Sequence, residues 1–164
     1  MIKLLGILFV FFPICTVGFF AADRIKKSQK FWEEMLLFNK QTEIEICYKS
    51  SDIFKIAEEC FSENKYPSLP FLKDFQSLRN RYFYSDIKLF FEKFFTDRSE
   101  IKILSDYFYK IGKSDLENQL KHLKMYEKIF NSRKKFYENK YSEKAKVYKS
   151  VSVFFGIGLA IWFI

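Results

Sequence analysis

Histidine, cysteine, proline and glycine are all scarce in this chain of 164 residues, which has one His, three Cys, three Pro and five Gly. Because His122 is the only histidine, zinc sites that need two or more His ligands are excluded. The cysteines Cys15, Cys47 and Cys60 are odd in number and form no C-x-x-C pair, so neither a disulfide framework nor a thiolate metal site is predicted. We expect no metal and no cofactor.

Recognisable catalytic motifs are also missing. Carboxylates are plentiful, but none falls in a paired motif, G-x-S-x-G is absent, and His122 has no nucleophile at a telling position. The triplet Gly112-Lys113-Ser114 has the composition of a phosphate-binding loop, yet that motif requires a glycine where Tyr107 stands and a strand before it. We therefore expect neither an enzyme nor a nucleotide site.

The chain is instead rich in positive charge and in apolar side chains, with a net charge of +8 and 49% hydrophobic residues. This charge suits anionic lipid headgroups, nucleic acid or an acidic protein partner, and charge alone does not choose among them. Roughly 125 residues lie between two apolar ends, which is enough for one domain with its own core.

An uncharged apolar run begins the chain. Residues 4–22 contain no charged side chain, and as a helix with a rise of about 1.5 Å per residue they extend roughly 28 Å, enough to cross a bilayer core. A cleaved signal peptide is the alternative, but Phe20 occupies a position where cleavage after Ala22 needs a small residue. We predict a retained transmembrane segment at residues 1–22.

A second uncharged run ends the chain. Residues 151–164 extend only about 21 Å as a helix, so they span a bilayer only with thinning of the lipid or with Lys149 reaching to the headgroups. A buried core helix is the alternative, although Ser152 is the only side chain that offers it a polar face. We predict a C-terminal transmembrane segment at residues 151–164 and a domain at residues 23–150.

Basic residues next to the two segments predict the orientation. Only Lys3 precedes the uncharged run of residues 4–22, whereas several basic residues lie on the domain side of both segments. They are Arg24, Lys26, Lys27, Lys30, Lys144, Lys146 and Lys149. Because cytoplasmic flanks of membrane segments carry an excess of Lys and Arg, we expect a cell-membrane protein with its domain on the cytoplasmic side.

Between the two segments, apolar residues recur with helical spacing and no stretch alternates as a strand does. The pattern predicts an all-α fold, a helical bundle of about six helices. The first membrane helix continues to about Tyr48; the others run from a Ser51 cap to near Asn64, from Pro70 through Leu78, from after Ser85 through Phe95, from an Asp97/Glu100 capping box to Ile111, and from Asp115 to about Tyr148.

The segment from Gly112 to Glu117 predicts a corner between two helices. Gly112 would end one helix in a left-handed conformation, Ser114 would cap the next, and Glu117 would reach back to complete a capping box. The following helix carries two stripes near its start. The apolar stripe is Leu116, Leu120, Leu123 and Phe130, and the polar stripe is Asp115, Asn118, Gln119 and His122. The apolar stripe is expected to pack on the domain, and the polar stripe is either a solvated face or a partner surface.

The same region is identified by a distinctive set of residues. They are Gly112, Ser114, Asp115, Glu117, Asn118, Gln119, Lys121 and His122 in GKSDLENQLKH, Lys146, Tyr148 and Ser150 in KVYKS, and Gly156, with Gly6, Gly18, Glu45 and Ile46 in the opening helix. With these residues the chain resembles the stage III sporulation protein AB family of endospore-forming bacteria. It departs from the family pattern at residues 51–53 and 151–152.

The resemblance implies a compact helical bundle similar to one cytoplasmic domain of the type II secretion inner-membrane platform protein. It also implies a platform in the mother-cell membrane facing the forespore, part of a channel complex and contacted by other channel proteins and by a secretion-type ATPase. From the residues alone, a basic membrane-attached module that binds anionic lipid or nucleic acid is the alternative, although nucleic acid is not the expected partner. Self-association is left open.

Overall fold

The computed structural model describes residues 2–49 and 51–145, together with residues 147, 150, 151, 153, 154, 157, 158 and 161. Side chains are described for these residues from Phe19 onward, except that of Ala145. All the regular structure in this part of the chain is helical. The elements are α1 (Ile2–Lys49), α2 (Ile53–Ser62), two 3₁₀ turns (Pro70–Lys73 and Phe75–Leu78), α3 (Tyr84–Glu92), α4 (Arg98–Lys110), α5 (Leu116–Lys140) and a π-helical turn (Tyr141–Ala145). The predicted all-α class is confirmed.

The first helix is 48 residues long and ends at Lys49, so the prediction that it continues through the apolar run to about Tyr48 is confirmed. In the part of the chain that the structure describes, no helix is long and apolar enough to cross a membrane. The two predicted membrane segments, residues 1–22 and residues 151–164, fall largely on residues whose side chains are outside the description. They stay predictions.

The chain divides into two compact units. Met1–Trp32 and Ser132–Ile164 form the first, and Glu33–Asn131 forms the second. Within the first unit, Ala22 and Ile25 are buried, and the exposed Asp23 and Lys27 form an ion pair of 2.8 Å one helical turn apart. The predicted boundaries at residues 22 and 150 concern the membrane and remain untested by this division.

The start of α2 lies one residue later than predicted. Asp52, and not Ser51, is the N-cap, because its carboxylate accepts a hydrogen bond of 3.5 Å from the backbone N–H of Phe54. The end agrees with the sequence: Asn64 has φ of 50° and its N–H donates to the carbonyl of Phe61. Asparagine tolerates this left-handed conformation better than other residues with a side chain, which explains why the helix ends there.

The helix predicted from Pro70 through Leu78 is instead two 3₁₀ turns. The Ser77 hydroxyl donates to the carbonyl of Asp74 at 2.7 Å, and this local bond competes with α-helical pairing. Residues three apart share a face in 3₁₀ geometry. The predicted apolar residues are therefore still placed together, and Leu72, Phe75 and Leu78 are all buried.

The core of the second unit is built around Phe108 of α4, which is completely buried. Its ring lies 4.7 Å from that of Phe75, 5.4 Å from that of Phe91 and 5.6 Å from that of Phe71, measured between centroids. Each such pair contributes about 0.5–1.5 kcal/mol beyond the area that it buries. These contacts join α4 to α3 and to both 3₁₀ turns, and so fix the position where α4 ends.

Helix α4 begins and ends close to the predicted positions. Asp97 is its N-cap, with its carboxylate accepting from the N–H of Ser99 at 2.8 Å, as predicted. Helix α3 begins at Tyr84, before Ser85 and not after it, and ends at Glu92, before the predicted members Phe94 and Phe95. Helices α3 and α4 form a short helical hairpin.

Candidate functional site

The family-motif residues meet at the corner between α4 and α5. Helix α4 ends at Lys110, and Gly112 follows with φ of 81°. A Cβ added to Gly112 would meet nothing within 4 Å, so the requirement for glycine comes from the left-handed backbone alone. The predicted conformation of this glycine is confirmed.

The cap of α5 is Asp115, one residue after the predicted Ser114. Its carboxylate accepts a hydrogen bond of 2.6 Å from the side-chain amide of Asn118, and its carbonyl accepts from the N–H of Gln119. The hydrogen bond from the Asn118 side chain is the main cause that lowers the pKa of Asp115, and a bond from the Asn118 backbone N–H lowers it further. The predicted capping box is wrong, because Glu117 pairs forward with Lys121 at 2.6 Å.

Gln119 ties the corner together across seven residues. Its Oε1 accepts a hydrogen bond of 3.3 Å from the N–H of Gly112, and its Nε2 donates to the carbonyl of Ser114 at 2.7 Å. One side-chain amide therefore satisfies a backbone donor and a backbone acceptor of the turn. The motif residues Gly112, Ser114 and Gln119 act as one structural unit.

His122 connects the start of α5 to the end of α4. Its Nε2 lies 3.1 Å from the carbonyl oxygen of Tyr107, so this nitrogen carries the proton and donates. The ring stacks on Tyr107, with centroids 5.9 Å apart, and lies 4.6 Å from the ring of Tyr126. Burial lowers the pKa of His122, and the nearby Lys110 lowers it further, whereas the bond to Tyr107 opposes both effects.

The last turn of α4 has carbonyl groups without partners inside the helix, as every helix does. Side chains from outside the helix satisfy two of them: His122 donates to Tyr107, and the hydroxyl of Tyr82 donates to Phe108. The carbonyl of Lys110 accepts from the N–H of Lys113 at 3.4 Å. Groups outside the helix thus satisfy the carbonyls of Tyr107, Phe108 and Lys110 at the end of α4.

The basic side chain of Lys113 lies on aromatic rings. Its Nζ is 3.3 Å from the centroid of Tyr109 and 5.3 Å from that of Tyr82, where the cation meets the electron-rich ring faces. An open cleft of about 380 Å³ lies beside it, here called the corner cleft. It is lined by Tyr109, Lys110, Lys113, Ser114, Asn118 and His122.

The family model described as stage III sporulation protein AB matches residues 3–164. The chain belongs to the stage III sporulation protein AB family. The resemblance predicted from the motif residues is thereby confirmed, and the family identifies the protein as sporulation-related. A search of curated proteins and a search of solved structures each found no match.

The other motif pair of the chain, Glu45 and Ile46, lies near the end of α1. Both are buried, and the Glu45 carboxylate accepts from Lys49 at 2.9 Å and from Gln41 at 2.9 Å. The hydrogen bond from Lys49 is the main cause that lowers the pKa of Glu45, which thus stays ionised. The hydrogen bonds of Glu45 and the burial of Ile46 stabilise the C-terminal end of α1.

The predicted membrane-orienting residues divide into two groups. Arg24, Lys26, Lys27 and Lys30 lie on α1 with exposed side chains. Lys146 and Lys149 lie outside the described residues. In the part of the chain that the structure describes, no three His, Cys, Asp or Glu side chains are grouped closely enough to hold a metal ion.

Three residues that position this site were not predicted from the sequence. Tyr107 and Tyr126 are buried against His122, and Tyr82 binds the end of α4 from another part of the chain. The sequence pattern also placed Leu116 in the buried stripe, yet this side chain is 50% exposed, whereas Leu123 is fully buried. Helical spacing predicts which residues share the apolar face of a helix. It does not predict how far the neighbouring elements extend along that face, and so which of those residues they cover.

Proposed function

We propose that this member of the stage III sporulation protein AB family is a non-catalytic membrane platform. It would belong to a secretion-like channel complex between mother cell and forespore and would contact the cytoplasmic ATPase of that complex. The observation that carries the proposal is the family match over residues 3–164. The sporulation role follows from the family, and the platform role and the ATPase contact are what we add.

Two features of the ends support membrane attachment. Residues 4–22 and residues 151–164 carry no charged side chain. Met1–Trp32 and Ser132–Ile164 also belong to one compact unit, as expected for two segments that enter a bilayer from the same side. Together with the exposed basic residues after residue 22, this favours a domain on the cytoplasmic side of the mother-cell membrane.

The corner supports a binding role and not a catalytic one. Asp115, Gln119 and His122 are the side chains there with chemistry to offer, and each is already hydrogen-bonded to the turn or to α4. These hydrogen bonds give the three residues a structural role, which is to hold the corner rigid. A rigid, folded corner with basic side chains beside it is suited to present a surface to a partner.

The test is association in sporulating cells. The full chain, tagged and extracted in mild detergent, is immunoprecipitated and probed for the ATPase and for the other channel proteins of the complex. We expect both to be retained, and an unrelated tagged membrane protein serves as the control. Recovery of channel proteins without the ATPase would contradict the ATPase contact, and recovery of neither would contradict the platform role.

A basic module that binds anionic lipid is the second candidate, favoured by a specific observation on α5. Lys124, Lys128 and Lys135 are all exposed along this helix. Binding of the full chain to phosphatidylglycerol vesicles, or to single-stranded nucleic acid, should weaken steeply as salt rises if phosphate contacts dominate. An absence of binding at low salt would remove this candidate.

A further inference from the structure

A second cleft lies between α3 and α4, on the helical hairpin. It is open, has a volume of about 500 Å³ and is called the hairpin cleft. It is lined by Tyr84, Lys88, Glu92, Arg98, Ile101 and Lys102. The residues from α3 are spaced four apart and so form one stripe along that helix, and Arg98 and Lys102 form the matching stripe on α4.

The hairpin cleft and the corner cleft are neighbours on the surface, because a lining tyrosine of one contacts a lining tyrosine of the other. Tyr84 lines the first and Tyr109 lines the second, and their rings are in edge-to-face contact with centroids 5.4 Å apart. The two clefts together are called the basic groove. Its lining carries five basic side chains and one acidic side chain, Glu92. Asp106, which is hydrogen-bonded to Tyr84, and Asp115 stand beside it.

Basic side chains outnumber acidic ones in the groove, five to three when Asp106 and Asp115 are counted. In the described part of the chain, Arg98, Lys102 and Lys110 take part in no ion pair. Lys88 is 3.9 Å from Glu92, with both side chains more than 40% exposed, so that this pair is weak. Closer pairs occur on other helices, such as Lys121 with Glu117 at 2.6 Å and Lys27 with Asp23 at 2.8 Å.

We propose that the basic groove binds an acidic segment of a partner protein. Carboxylates of that segment would meet Arg98, Lys102 and Lys110, and an apolar or aromatic side chain would lie against the tyrosine pair. The acidic groups Glu92, Asp106 and Asp115 interrupt the positive charge. They would repel the continuous phosphates of a nucleic acid, whereas a peptide can space its carboxylates to avoid them.

That the segment belongs to a component of the channel complex rests on the proposed platform function. The binding of an acidic segment does not depend on it. Two separate measurements are therefore needed, one of the groove itself and one of association in the cell.

The first measurement uses the full chain in nanodiscs of phosphatidylcholine, a zwitterionic lipid. The probe is a fluorescein-labelled peptide with Glu at alternate positions and one central Trp, and its binding is followed by fluorescence anisotropy at low and at physiological salt. Arg98→Glu with Lys102→Glu should weaken binding about tenfold, because two attractions become repulsions. Arg98→Gln with Lys102→Gln, which removes charge without reversing it, should weaken binding less.

The matched control is Lys124→Glu with Lys128→Glu. It changes the net charge by the same amount at exposed positions of α5 that line neither cleft. It should alter binding less than about twofold, and thermal melts should show that all variants remain folded. Equal weakening by both double variants, or no binding by the unchanged protein at low salt, would overturn the proposal. The proposal would also be overturned if the Arg98→Glu, Lys102→Glu variant still bound the peptide but no longer bound phosphatidylglycerol vesicles or single-stranded DNA.

The second measurement immunoprecipitates the Arg98→Glu, Lys102→Glu protein from sporulating cells. Loss of the ATPase, with channel proteins retained, would support the groove as the site of contact. Equal recovery of the ATPase by the variant and the unchanged protein would show that the groove is not that site and would leave the platform role standing. If the unchanged protein recovers no complex member, the platform role fails and the peptide measurement alone decides the groove.

Discussion

The corner between α4 and α5 and the hairpin cleft between α3 and α4 use their polar side chains in opposite ways. At the corner, Asp115, Gln119 and His122 are hydrogen-bonded to nearby backbone or side-chain groups. In the hairpin cleft, Arg98 and Lys102 take part in no ion pair within the described residues. The residues that identify the family thus build a turn, and residues outside that motif present the charge. A motif can therefore mark how a chain folds without marking what it binds.

The largest loss of stability is expected from a substitution that removes a buried side chain at the corner. Tyr107→Ala should lower the free energy of unfolding by about 3–5 kcal/mol, because the ring is fully buried and contacts Tyr126 and Phe130 at 5.2 and 5.1 Å. Arg98→Ala, on the groove side, should change it by no more than about 0.5 kcal/mol. Denaturant unfolding of the full chain in nanodiscs measures both.

Tyr107→Phe is the control that separates packing from hydrogen bonding. The buried Tyr107 hydroxyl lies near Thr42 but makes no hydrogen bond of normal geometry in the described structure, so its removal should cost at most about 1 kcal/mol. A loss as large as that of the alanine variant would show that the hydroxyl, and not the ring, stabilises the corner.

A smaller loss is expected from Gly112→Ala. At φ of 81° an alanine side chain is strained by about 1–2 kcal/mol, although there is space for its Cβ. Gly112→Asn should lose less, because asparagine adopts this conformation more readily. Thermal melts rank the two variants, and equal losses would mean that strain at φ is not the cause.

Local features of the corner were predictable from the sequence, and the long-range ones were not. Gly112 was identified by its position between two helical patterns. Both cap assignments were one residue early, at Ser51 and at Ser114, and in each case the following aspartate is the cap. Ser and Asp are both good caps by type, and an ionised carboxylate additionally favours the positive end of a helix.

Contacts between distant parts of the chain could not be predicted from the spacing of residues in the sequence. Glu34 accepts hydrogen bonds of 2.6 and 2.9 Å from the backbone N–H and hydroxyl of Ser68, 34 residues away, and Tyr82 donates to Phe108, 26 residues away. Periodicity reports which face of a helix is buried and not which element covers it. The groove depends on such pairings, since Tyr84 meets Tyr109 only once α3 and α4 have packed.

The corrected cap predicts a further difference. Asp115→Ala should lower the melting temperature measurably, because the amide of Asn118 loses its acceptor at the start of α5. Ser114→Ala should leave it within error, since only the backbone carbonyl of Ser114 takes part, through Gln119. The reverse ranking in a melt of the two variants would restore Ser114 as the cap.

The last and smallest effect is the dependence of stability on pH at His122. Burial keeps the folded-state pKa below the ordinary value of 6.5, so between that lower pKa and 6.5 the unfolded chain binds a proton that the folded chain does not. The free energy of unfolding should therefore fall as pH drops through 6.5, and the fall should end once the folded state is also protonated. His122→Gln keeps a side-chain donor for the Tyr107 carbonyl but cannot titrate. Denaturant unfolding between pH 5 and pH 8 should show a slope in the parent that is reduced in this variant, and Arg98→Gln, in the groove, should retain the parental slope. A slope that is unchanged in His122→Gln would mean that carboxylates such as Glu45 and Asp115, whose pKa values are lowered, govern the acid sensitivity.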